Sequence, residues 1–136
     1  MMGAPLPGRR SLLAACMPLL PAATPTDRSD AVLLTLAAEL READRRHEAA
    51  TIAFSRAEGS PTAEAARKAM DAASDACDAL LLRMSETPAS GLAGLAVKAA
   101  LIVRATEWSG LTEAENGLAD SLAADIARLV PQAVAA

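Results

Sequence analysis

The chain has 136 residues, of which 52% are hydrophobic and 35 are alanine, and it carries 13 Lys and Arg against 17 Asp and Glu for a net charge of −4. This length suits one domain rather than two. One histidine (His47), no tyrosine, and aromatics limited to Phe54 and Trp108 exclude most catalytic and metal constellations. The absence of a basic tract removes the electrostatic footprint of a nucleic-acid binder.

Residues 1–26 differ in composition from the rest. No acidic residue precedes Asp27, the only charged side chains are Arg9 and Arg10, and an apolar run follows. That order is the layout of an export signal. Arg9-Arg10-Ser11-Leu12-Leu13 resembles the twin-arginine motif, which addresses folded proteins for export. Pro18 and Pro21 interrupt the apolar stretch, and no small-x-small cleavage site follows. Leu13-Ala14-Ala15-Cys16 reads like a lipobox, but Arg10 and Cys16 stand closer than the roughly 7 apolar residues of a signal core require. Residues 1–26 are therefore a signal-like or disordered leader, and 27–136 a single helical domain.

Ser29 or Asp30 is placed to cap the first helix. Leu33, Leu36, Leu40, Ala43, His47, Ala50, Phe54 and Ala57 then alternate in steps of three and four, a coiled-coil-like stripe on one helix face. Gly59-Ser60-Pro61 ends this helix and opens the next, with glycine in a left-handed conformation, serine as cap and proline in the first turn. The second stripe is Ala66, Met70, Ala73, Cys77, Leu80 and Met84, stopped by Thr87-Pro88. Helices of this length joined by so short a turn must be antiparallel, each roughly 40 Å long. Folding the stripes about Ser60 pairs Phe54 with Ala66, Ala50 with Met70, His47 with Ala73, Ala43 with Cys77, Leu40 with Leu80, and Leu36 with Met84. Bulky residues set against alanine let two helix axes approach closely.

Ser90 is placed to cap a third helix from Leu92 to about Ser109, with Gly110 as its stop. Thr112-Glu113-Ala114-Glu115 has the capping-box form and opens a fourth, carrying Leu118, Leu122, Ile126, Leu129 and Val130 up to Pro131, after which the tail frays. Gly117 weakens its first turns, so the start can slip to Leu118. The expected fold is all-α: a long antiparallel helical hairpin with two shorter C-terminal helices. The apolar run Leu92 to Val103 is broken by Gly94 and Lys98 and falls short of the roughly 18 residues of a membrane span. Lys98 and Arg104 also make too thin a basic face for a membrane-surface helix.

Asp44 lies one turn before His47, and an acid-x-x-His pair resembles half of a four-helix carboxylate metal site. No second histidine completes it, and Asp71, Asp75 and Asp78 fall outside the stripe as a solvated face. His47 is expected as a seam histidine with its polar edge near solvent. Cys77 sits mid-helix without a basic partner and is expected as a buried structural thiol; Cys16 is likewise read as a thiol. Serine nucleophiles lack a supporting histidine. Trp108 is the largest single anchor, covering the open end of the hairpin or meeting a partner. No catalytic, cofactor-binding or metal residue is assigned, and no cofactor.

The Arg-Arg leader, the long hairpin and the block Thr87-Pro88-Ala89-Ser90-Gly91-Leu92-Ala93-Gly94-Leu95-Ala96-Val97-Lys98-Ala99 together resemble small alanine-rich helical proteins of alphaproteobacteria, some of them prophage-associated. The resemblance implies a bacterial setting and no activity, so it carries over no functional residue. Two functional expectations follow. One is a non-catalytic helical interaction or structural protein, prophage-derived, that engages another copy or a protein partner. The other is a periplasmic or envelope protein exported by the twin-arginine route. Cytoplasm and periplasm both remain open as compartments.

Overall fold

The computed structural model of the chain describes residues 28–107 and 110–135. These form four helices: α1 (Arg28–Ala57), α2 (Ala63–Glu86), α3 (Leu92–Thr106) and α4 (Glu113–Ala135). Among the described residues there is no strand, and the fold is all-α. The leader and its Arg9-Arg10 pair, Cys16 and Trp108 lie outside the described residues.

Helices α1 and α2 pack together more extensively than any other pair, in the manner of a hairpin. Arg83 Nη1 lies 3.7 Å from Glu39 Oε2, and Cys77 Sγ lies 3.7 Å from Asp44 Oδ1. The two helices therefore run in opposite directions, within a residue or two of the layers obtained by folding about Ser60. Gly59 makes the turn at φ +77°, a left-handed conformation that costs glycine nothing.

Several helix ends depart from the sequence expectation, each for a local reason. Helix α2 begins at Ala63 rather than directly after Ser60, because Ser60 Oγ accepts from the Thr62 amide at 3.3 Å and holds Ser60-Pro61-Thr62 in a turn. Helix α2 stops at Glu86, with Thr87 extended (φ −99°, ψ 107°) as a residue before proline prefers. Helix α3 ends at Thr106, short of Ser109. Helix α4 starts at Glu113 and does not slip to Leu118, because its capping box is complete. The Thr112 amide donates to Glu115 Oε2 at 2.7 Å, and the Glu115 amide to Thr112 Oγ1 at 3.3 Å. Helix α4 also continues through Pro131 to Ala135 instead of fraying there. The proline withholds a hydrogen bond from the Ala127 carbonyl, and both residues are exposed, so water can replace the missing donor.

The core lies at one end of the hairpin. Leu33, Leu36, Ala37 and Leu40 of α1 meet Leu81 and Met84 of α2, Ala89 of the linker and Leu118 of α4, with Leu95 and Leu101 of α3 packed against them. From Asp44 through Leu80 no residue is buried, and the stripe residues His47, Phe54, Met70 and Cys77 are only half-buried. Helices α3 and α4 thus cover the open end and leave the turn end as a bare pair of helices. Because Leu40 is 3% exposed, Leu40→Ala is expected to lower stability by about 2–5 kcal/mol in urea unfolding followed by circular dichroism. Leu92→Ala is expected to change it by less than about 0.5 kcal/mol, since Leu92 is 84% exposed.

Candidate functional site

The covered end contains the most concentrated chemistry of the chain. Lys98, in the middle of α3, is wholly buried. An ammonium without water is tolerated only when it is paired and hydrogen-bonded. Its Nζ donates to Asp125 Oδ2 at 2.5 Å and to Ser121 Oγ at 2.8 Å, both on α4. Ser121 Oγ in turn donates to the Ser85 carbonyl of α2 at 2.6 Å. Asp125 Oδ2 also accepts from the Ala89 amide at 3.0 Å, and its Oδ1 accepts from Arg128 Nη2 at 3.1 Å. The same Arg128 nitrogen donates to the Ala89 carbonyl. Linker residue Ala89 is thereby held at both its amide and its carbonyl by α4.

A second buried carboxylate grips the same region from the other side. Asp30, 1% exposed in the first turn of α1, accepts from the Ser90 amide at 2.7 Å through Oδ1 and from the Gly94 amide at 3.0 Å through Oδ2. It caps α3, a correction to the role expected of Asp30 at the start of α1. The cap expected from Ser90 is likewise absent: the N-cap position falls on Gly91, and no side chain of that residue exists to fill it. A negative carboxylate at the start of a helix is favoured by the helix dipole as well as by the free amides. Gly94 is required by this fit, for a Cβ there would lie 2.5 Å from Asp30 Oδ1 and 2.9 Å from Ala89 Cβ. Two cations, Lys98 and Arg128, and two anions, Asp30 and Asp125, balance at the junction. Among the described residues no buried side-chain nitrogen or oxygen lacks a partner.

Burial alone would raise the Asp125 carboxyl pKa. The hydrogen bonds from Lys98, Ala89 and Arg128 together outweigh that and hold it below its ordinary value of 3.8. A carboxyl whose folded pKa is depressed stabilises the fold above its unfolded pKa and ceases to do so as pH falls through the folded value. Stability attributable to Asp125 is therefore complete at neutral pH and is lost only in strong acid.

The residues singled out in the sequence sit elsewhere. Asp44, His47 and Arg104 border a cleft of about 410 Å³ whose lining also includes Leu40, Leu81, Leu101, Thr112 and Glu115. Arg104 Nη1 pairs with Asp44 Oδ2 at 3.0 Å. Cys77 Sγ donates to the same carboxylate. Burial, then the charge and hydrogen bond of Asp44, push this thiol up to about 11, so it is protonated at neutral pH and is not an activated nucleophile. Asp71, Asp75 and Asp78 are exposed, as their place outside the stripe implies. Among the described residues no three His, Cys, Asp or Glu side chains gather as metal donors, and no helix is long and apolar enough to cross a membrane.

Sequence reasoning misses the role of Lys98, which reads only as a break in an apolar run and part of a thin basic face. It also gave no role to Asp125 or Arg128. The usable signal was there: a lone lysine inside an otherwise apolar helix, and an aspartate on the apolar side of the last one.

Asp125→Asn is expected to destabilise the chain by about 3–5 kcal/mol, because it leaves the Lys98 charge buried without its partner. Adding Lys98→Met should recover most of that loss in urea titration. In a Cys16→Ser chain, Cys77 should react with iodoacetamide about 100-fold more slowly than a free thiol at pH 8, the consequence of a pKa near 11 in place of 9.0. Compared with family models, with curated proteins and with solved structures, the chain has no significant match.

Proposed function

We propose that this chain is a non-catalytic helical interaction protein of prophage type, built as a long antiparallel hairpin with two shorter helices on its open end. The observation that supports it is the unequal cover of the hairpin. The open end is sealed by a core and a buried ionic junction, whereas from Asp44 through Leu80 the paired helices bury no residue. A coiled-coil-like seam bearing Phe54 and Met70 only half-buried is stabilised further when another helical surface adds to it. A second copy of the chain is the partner to be tested first. Sedimentation of the full chain should show a species larger than the 13.9 kDa monomer, and Phe54→Glu with Met70→Glu should return it to monomer without loss of helix content. A chain that stays monomeric across the concentration range counts against self-association.

The alternative reading is a periplasmic or envelope protein delivered folded by the twin-arginine route. Arg9-Arg10-Ser11-Leu12-Leu13 motivates it, and one structural fact favours it: the buried polar groups from Asp30 onward satisfy one another. A chain beginning at Asp27 should then keep the melting behaviour of the full protein, and replacing Arg9 and Arg10 with lysine should abolish export. Loss of folding in the truncated chain would place Leu12, Leu13, Leu19 and Leu20 in the core and remove this reading.

A further inference from the structure

The second half of α4 is amphipathic in an inverted sense. From Leu122 to Ala135 its only polar side chains are Asp125, Arg128 and Gln132. At 3.6 residues per turn these three project within about 60° of one another, and Asp125 and Arg128 are engaged by Lys98 and Ala89 at the junction. On the opposite side Ala123, Ile126, Ala127, Val130 and Val134 form one continuous face. All five are exposed, Ile126 by 42%, Val130 by 50% and Val134 by 82%. A surface helix normally turns its polar side to water, and a contiguous apolar face turned there instead marks a place where something docks.

The course of α4 puts this face at the open end of the hairpin. Thr112 and Glu115, at its start, line the cleft with Leu81, Ser121 bonds the Ser85 carbonyl, and Asp125 bonds the Ala89 amide. Helix α4 therefore runs in the same direction as α2 and passes its end, and residues 126–135 carry it about 15 Å farther. The chain that precedes α1 arrives at the same place, because Asp30 in the first turn of α1 holds the amides of Ser90 and Gly94, next to the Ala89 that α4 grips. Leu20 stands eight positions before Arg28 and Leu12 sixteen. Extended, those lengths reach roughly 27 and 55 Å, ample for a face of this size.

Residues 12–20 also have the composition to cover it. They include Leu12, Leu13, Met17, Leu19 and Leu20 and no charged side chain. A segment tethered so near meets the face at an effective concentration of order millimolar, which a second copy or a separate protein reaches only in very concentrated solution. We propose that residues 12–20 dock on the outer face of α4, across Ala123, Ile126, Val130 and Val134, as an intramolecular cover of that helix. Any partner of this face then competes with the chain's own leader. The inference is independent of the self-association reading, which concerns the turn end of the hairpin around Phe54 and Met70.

Cys16, in the middle of the docking segment, supplies the test in the full chain. With Cys77→Ser and Val130→Cys, mild oxidation by oxidised glutathione should link Cys16 to the introduced thiol within one monomer. The link should form about tenfold or more faster than in a chain carrying Ala69→Cys instead, an exposed position near the hairpin turn that lies within reach of Cys16. Replacing Leu12, Leu13, Leu19 and Leu20 together with aspartate should remove that advantage. In a chain with both native cysteines, the same four substitutions should speed hydrogen exchange of the Ile126 to Ala135 amides about tenfold and that of Leu36 to Leu40 by less than about twofold. Equal rates of linkage at the two positions, or exchange in α4 unmoved by the leader substitutions, overturn the proposal. A disulfide found only in dimers, and slowed by dilution, overturns it too and assigns the face to a second copy.

Discussion

Placing the Lys98 ammonium inside the protein obliges the surroundings to supply a negative charge and further acceptors, since the desolvation of an ion costs more than apolar contacts alone return. Asp125 and Ser121 meet that demand from α4. In doing so they set the register of α4 against α3 and bring Asp125 and Arg128 over Ala89. The linker can then take only the course in which its next amides face Asp30. One buried cation thus orders four segments around a core that contains few large side chains.

This arrangement explains how an alanine-rich chain with two aromatic residues specifies one packing. Alanine favours helix and lets axes approach, but its methyl groups discriminate poorly between alternative registers. Along the hairpin, discrimination comes from the stripe of leucines near the open end and from the tight turn at Gly59. Between hairpin and cover, it comes from polar groups with directional requirements: two carboxylates, a serine relay and a glycine at position 94 with no room for a side chain. Buried polar groups used in this way fix geometry more than they add stability.

The distribution of cover also bears on function. Cys77, Asp44 and Arg104 satisfy one another beside the cleft, with the thiol held protonated, so these three groups are engaged in structure. What the molecule presents outward is helical surface, half-buried along its seam and flanked by charges such as Asp71, Asp75 and Asp78. That half-covered surface is what the proposed recognition of another helical surface rests on.

Much of the fold follows from local rules that the sequence carries by itself. The three-four spacing from Leu33 to Ala57 and from Ala66 to Met84 specifies two helices and the faces they pair, Gly59 and Thr87-Pro88 specify where they turn and stop, and Thr112 with Glu115 specifies where the last helix begins. Each of these depends on residues within a turn or two of one another, so a linear reading suffices. The junction depends on residues far apart in the chain, and only tertiary structure could assign it. Asp30 looks like a cap for the helix it begins and serves a helix more than sixty positions away, because the hairpin brings its carboxylate to the helix start at Gly91, which has no side-chain cap of its own. Lys98 looks like a break in an apolar face and is wholly enclosed, because Asp125 of α4 arrives to neutralise it. Periodicity reports which face of a helix is apolar; it is silent on which distant charge will meet a polar residue on that face.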